Sequence, residues 1–167
     1  MAKLTESQYR ILVVFRRALR EYLHWSGTAA TKLGLSPQQH QLLLALRGHT
    51  GRVPPSISEI ADWLLIRQHS AGELVNRVEA AGLVRREPDR TDQRVTRVAL
   101  TDRGRELIER LSEAHLDELN RVAAQLHISE ELLEQLSAEF ADYFTDNFTD
   151  NLTENVSRKV HETHDSG

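Results

Sequence analysis

Apolar residues recur along most of the chain at intervals of three and four, the spacing that puts them on one face of an α-helix. Between Tyr9 and Trp25, Leu12, Phe15, Leu19, Tyr22 and Leu23 share one side, while Ile11, Val14 and Ala18 occupy another. A helix apolar on more than one face needs cover from two directions, which a small monomer rarely supplies. Helix starts are marked by their caps. Thr5-Glu6-Ser7-Gln8, Ser36-Pro37-Gln38-Gln39 and Ser56-Ile57-Ser58-Glu59 each place a hydroxyl at the N-cap and a Gln or Glu three residues on. Gly34 closes a turn before the second start, whose run Leu42 to Leu46 is expected to be core. Gly48 to Pro55 reads as a loop, and the helix after it is apolar at Ile60, Ala61, Trp63 and Leu64. A break near Ile66-Arg67-Gln68 precedes a fourth helix, about 68–81, with Ala71, Leu74, Val75 and Val78 inward and Gly82 as its stop.

Two short extended segments follow, Leu83 to Glu87 and Val95 to Leu100. The charged, turn-rich Pro88-Asp89-Arg90-Thr91-Asp92-Gln93 between them gives a hairpin with a long tip. Thr101 caps a long helix from about Asp102 to Leu126, with Leu107, Ile108, Leu111, Leu119, Val122 and Leu126 recurring. At 1.5 Å per residue it is roughly 37 Å long and must project beyond one protomer's core. Ser129 caps a last helix through Leu132, Leu133, Leu136, Phe140 and Phe144. Beyond it lies a tandem tetrapeptide repeat from Thr145 to Val156, apolar at every fourth residue and expected to extend the dimer helix. Its Asn-x-Thr/Ser matches are a by-product of the repeat.

Composition narrows the chemistry. At 40% apolar and 28% charged residues, the 167-residue chain can fill a core, so wholesale disorder is not expected. No apolar run approaches 18 residues and no secretory leader is evident, so the expectation is a cytoplasmic protein with no membrane partner. Cysteine is absent, which removes disulfides, thiolate zinc sites and thiol chemistry from consideration. The net charge of −4 conceals segregation: residues 1–51 carry +5, residues 52–110 carry +1 and residues 111–167 carry −10.

Two short helices joined by a tight break, followed by an arginine-bearing hairpin, make a winged helix-turn-helix, a fold that places its second helix in a DNA major groove. On that helix the exposed side offers Gln68, His69, Ser70, Glu73, Asn76 and Arg77, with Arg67 at its start. Short donors and acceptors near a helix N-terminus suit base edges and phosphates. Glu73 is expected to contact a cytosine amino group or to pair with Arg77. In the wing, Arg86, Arg90, Arg94 and Arg97 are the candidate DNA contacts. Arginine enters a narrow, electronegative minor groove readily. Asp92, two residues before Arg94, is expected to pair with a nearby arginine and fix the loop, since a floppy wing loses binding energy to ordering.

These residues resemble the MarR (multiple antibiotic resistance regulator) family of transcription regulators over about residues 5–145. The likeness is most specific from Gly82 to Val95, where the family's Asp-x-Arg wing signature falls on Asp92 and Arg94. Its Leu-Thr-x-x-Gly falls on Leu100, Thr101 and Gly104, and Leu35-Ser36-Pro37-Gln38-Gln39 resembles the family's opening of the second helix. His69-Ser70 with Leu74-Val75-Asn76-Arg77-Val78-Glu79 resembles its recognition helix. The resemblance implies an obligate homodimer built from the first and last two helices, binding double-stranded DNA at pseudo-palindromic operators. Half-sites would then lie about one helical turn apart.

The expected architecture is therefore mainly α with a small β-hairpin, a winged helix-turn-helix with long N- and C-terminal dimerisation helices. Residues 1–34 would be the N-terminal dimerisation helix, 35–101 the DNA-binding domain, 102–157 the C-terminal dimerisation helices and 158–167 a disordered tail. The resemblance also suggests a repressor relieved by a small aromatic or phenolic effector, for which Arg16, Arg20, Tyr22, Trp25 and His40 are candidate pocket residues, with Arg17 nearby. No phosphate loop, metal-ligand motif or nucleophile triad is present, so neither catalysis nor a cofactor is expected. Two competing readings remain at this level: an acidic helical dimer serving as a protein-interaction module, and a zinc-responsive regulator drawing on some of the eight histidines. No histidine pair has i,i+4 spacing, and His161 and His164 alone are close in sequence.

Overall fold

The predicted caps at Thr5, Ser36, Ser56 and Thr101 form in the computed structural model, which describes residues 4–126. The last predicted helix, the tetrapeptide repeat and the tail lie outside the described residues. Helix α1 spans Glu6–Lys32, α2 Pro37–Gly48 and α3 Ile57–Trp63. All three open on reciprocal capping boxes, with Thr5, Ser36 and Ser56 hydroxyls accepting from the backbone N–H of Gln8, Gln39 and Glu59. The first helix is longer than its apolar stretch suggested, running seven residues past Trp25 through Gly27 and Thr28. Helix α4 spans Gln68–Ala80, strands β1 and β2 span Val84–Pro88 and Thr96–Leu100, and α5 spans Asp102–Gln125. The strands form an antiparallel hairpin with Val84 opposite Leu100 and Pro88 opposite Thr96.

Three helices end in the same way, with the N–H after the C-cap bonding back three residues and the next N–H bonding back five. For α1 these bonds run from Gly34 to Thr31 and from Leu35 to Ala30; for α4, from Gly82 to Glu79 and from Leu83 to Val78. For α3 they run from Leu65 to Asp62 and from Ile66 to Ala61. The residue after the C-cap must turn left-handed, and glycine does so at Gly34 (φ 78°) and Gly82 (φ 70°). At α3 a leucine takes this role, Leu65 at φ 53°. A side chain there costs roughly 1 kcal/mol relative to glycine.

The core gathers Leu42, Leu43 and Leu46 of α2, Ile60 of α3, Ala71, Leu74, Val75 and Val78 of α4, Val84 and Val98 of the hairpin, and Ile108 and Leu111 of α5. One residue of the expected α2 run departs from it. Leu44 points outward, because five consecutive helical positions sweep more than a full turn and cannot all face one core. On α1 only Ala18 and Ala30 are buried, while Tyr9, Leu12, Phe15, Leu19 and Leu23 stay about half exposed. Among the described residues nothing covers the two-sided apolar helix. The described residues up to Val122 form one compact unit. Among the described residues no helix is long and apolar enough to cross a membrane.

Candidate nucleic-acid interface

Helix α4 presents two unlike faces. Ala71, Leu74, Val75 and Val78 are buried, whereas Arg67, Gln68, His69, Ser70, Glu73, Asn76 and Arg77 are all exposed. Arg67 is the N-cap and makes no side-chain capping bond. The first backbone N–H to find a helical acceptor is that of Ala71, on Arg67. The N–H groups of Gln68, His69 and Ser70 lie in the opening turn, the place where helices attract anions. Glu73 pairs with His69 at 3.3 Å, four residues back, rather than with Arg77 four residues on.

The wing is anchored at two places. At its root, Arg86 bonds the Glu79 carboxylate, donates to Asn76 Oδ1 at 2.6 Å, and donates from its backbone N–H to Glu79 Oε1 at 2.9 Å. Its guanidinium is committed to α4, so Arg86 braces the wing instead of facing outward. Near the tip, Arg97 donates through Nε to Asp89 Oδ2 at 2.6 Å and through Nη1 to Glu59 Oε2 at 3.0 Å. The same Nη1 reaches the Pro54 carbonyl at 3.2 Å, and only 20% of the side chain is exposed. Arg97 therefore clamps the wing to the start of α3, a different role from the DNA contact expected of it. The Val98 N–H adds a backbone bond to the Pro55 carbonyl.

Loop ordering falls to Asp89 rather than Asp92. Asp89 Oδ1 accepts from the Thr91 hydroxyl, the Thr91 N–H and the Asp92 N–H at 2.7 to 3.0 Å. These bonds, led by the Thr91 hydroxyl and completed by Arg97, hold the Asp89 carboxyl far below the usual carboxylate range. Asp92 makes a shorter-range bond, accepting from the Arg94 N–H at 2.9 Å, and has no arginine ion pair among the described residues. Arg90 and Arg94 are exposed at the tip, and among the described residues neither is in a salt bridge.

Of the five pocket candidates, three converge and two do not. Tyr22, Trp25 and His40 surround His115 of α5, with ring centroids 6.4, 5.0 and 4.3 Å away. His115 donates from Nδ1 to the Leu111 carbonyl at 2.8 Å, and its Nε2 bonds the Ser26 hydroxyl at 2.8 Å. The tautomer follows from the carbonyl, which can only accept. Arg16 and Arg20 remain exposed on α1, outside this cluster, and Arg17 pairs with Glu21 at 2.7 Å. Sequence reasoning missed His115, although it stands four residues after the buried Leu111 on the apolar face of α5. His40 is buried and, among the described residues, its Nε2 has no hydrogen-bond partner. An open groove of about 540 Å³ also runs beside α1, lined by Leu23, Gly27, Thr31 and Pro37 among others, and holds none of the five candidates. Among the described residues no group of three histidines or carboxylates could hold a metal.

Burial, reinforced by the neighbouring His115, pushes the His40 imidazole down to about 4. The unfolded chain, titrating near the ordinary 6.5, then binds more protons than the folded one between those values. Stability is expected to fall as pH drops through that window, by about 2 kcal/mol after allowing for screening by water. Urea unfolding of the wild type and of His40→Leu between pH 4 and 7 checks this: the slope should shrink in the variant.

Comparison with known proteins agrees with this geometry. Residues 33–95 match the MarR family. The chain is 29% identical to the HTH-type transcriptional regulator MhqR of Bacillus subtilis over 131 residues, 78% of this chain and 87% of that one. It is 33% identical to the HTH-type transcriptional regulator PecS of Dickeya dadantii over 52% of each chain, and so spans about half of that relative's length. Among solved structures, Sco3205, a MarR family transcriptional regulator from Streptomyces coelicolor in complex with DNA, superposes with a TM-score of 0.66. That match has 22% identity and covers 86% of this chain and 89% of that one.

Proposed function

Through residues 33–95 the chain belongs to the MarR family, and from that premise we propose that it is a DNA-binding transcriptional regulator working as a ligand-responsive homodimeric repressor. The observation that carries the DNA reading is a hairpin pinned at root and tip, with two uncommitted guanidinium groups, Arg90 and Arg94, at its end. A pre-ordered wing spends little binding energy on ordering. The polar outer face of α4 supplies base-reading groups: Gln68, His69, Ser70, Asn76 and Arg77. In the relative Sco3205 the partner is DNA.

Pairing of two protomers is supported by α1, whose half-exposed Tyr9, Leu12, Phe15, Leu19 and Leu23 form an apolar stretch that a second copy would cover. Two reading heads held one turn apart would address a pseudo-palindromic operator. The aromatic cluster of Tyr22, Trp25 and His40, with its unpartnered imidazole nitrogen, supports a small aromatic effector. A ligand favouring wrongly spaced heads lowers DNA affinity by its differential affinity for the two states. The activity is binding, with no chemical step.

Arg94→Ala tests the DNA reading. Binding to all duplex sequences should weaken, and the slope of log K against log salt should flatten by about one unit. Titrations at several salt concentrations measure this, and an unchanged slope removes Arg94 from the interface.

A further inference from the structure

Leu65 holds the left-handed position that ends α3, the position given to glycine at the ends of α1 and α4. Among the described residues no contact accounts for its side chain. The turn needs no Cβ, and the apolar contact that accompanies such a helix end is made by the next residue, Ile66, which packs against the core. Leu65 itself is 92% exposed, the most exposed large apolar side chain among the described residues. It stands two residues before Arg67, the N-cap of α4. A leucine at a glycine position, extended into solvent beside the opening turn of the reading helix, suggests a contact made outside the chain.

We propose that Leu65 is an apolar DNA contact, packing against the deoxyribose wall of the major groove where the first turn of α4 enters. This rests on the DNA-binding reading above. When the opening turn of a recognition helix meets the base edges, the residue just before it passes the groove wall, where sugar carbons rather than charges are presented. Such a contact adds affinity that is independent of base sequence and of salt, because no counterion is released when it forms.

The test uses the full chain and a duplex selected in vitro by the wild type. Leu65→Gly and Leu65→Ala should each weaken binding roughly five- to tenfold with the salt slope unchanged, and Leu65→Met should stay within about twofold of the wild type. Leu65→Gly should at the same time raise the melting temperature of the free protein by a few degrees, since the turn is relieved. Lower affinity in a more stable protein separates contact from folding. Unchanged affinity in both the Gly and Ala variants overturns the proposal while leaving the DNA reading intact. A loss that disappears when the thymines of the duplex are replaced by uracil overturns the sugar assignment, because the contact is then with a base methyl. Failure of the wild type to bind any duplex at low salt overturns the DNA reading itself, and this contact with it.

Discussion

Arg97→Ala is expected to destabilise the fold by about 3 kcal/mol and to lower the melting temperature by roughly 10 °C. The guanidinium is the shared counter-ion of two carboxylates that water barely reaches, Asp89 and Glu59, whose side chains are 8% and 11% exposed. Removing it leaves both charges without their counter-ion and supported only by neutral hydrogen bonds, a costly way to break such a group. The damage should spread in two directions. Glu59 also accepts from the Ser56 N–H at 2.6 Å, so its repulsion from Asp89 strains the start of α3. Asp89 holds the tip through Thr91 and Asp92, so Arg90 and Arg94 lose their fixed platform. Arg97→Lys should restore little, because a point charge cannot reach Asp89, Glu59 and the Pro54 carbonyl with a planar fork. Calorimetry with DNA titration checks both effects, and a melting temperature within 2 °C of wild type would falsify the clamp.

Gly104→Ala should be nearly as damaging, at about 3 kcal/mol, despite replacing a poor helix former with the best one. Gly104 lies in the first turn of α5, and its N–H donates to the Thr101 hydroxyl at 3.1 Å. A Cβ there would penetrate the carbonyl oxygen of Leu83 and come within 3.3 Å of the Leu83 Cα. The neighbour is backbone and is itself held, since the Leu83 carbonyl accepts from the Thr101 N–H at 3.1 Å. No side-chain rotation can make room. At Gly72, by contrast, a Cβ would meet nothing within 4 Å, so an alanine there is a control in which propensity alone acts. Urea unfolding of the two variants should give opposite signs.

What could be read from the sequence was what depends on neighbours a few residues away. The three capping boxes, the glycine stops at 34 and 82 and the hairpin all follow from local backbone demands, and all appear. The roles of the wing arginines could not be separated in this way. Arg94 and Arg97 look alike in a string of letters. What divides them is Glu59, 38 residues before Arg97 in sequence but bonded to it in space. Asp92 seemed the natural organiser because it stands beside Arg94, whereas Asp89 wins because its carboxylate sits inside the turn and faces three donors besides Arg97. Leu65 was invisible for the opposite reason. A left-handed leucine violates the usual propensity, so no pattern announces it. His115 was missed because a histidine on an apolar helix face gains meaning only when Trp25 and His40 close around it.

The division of labour in the hairpin has a consequence for how this protein can change. Asp89, Arg97 and Glu59 set the shape of the tip, while Arg90 and Arg94 ride on it without helping to build it. These two outer positions can therefore be rewritten, by mutation in nature or at the bench, with little penalty in folding. If the proposed DNA contacts hold, a lineage could retune the strength of its grip by exchanging two outer residues while the bracket beneath them stays untouched.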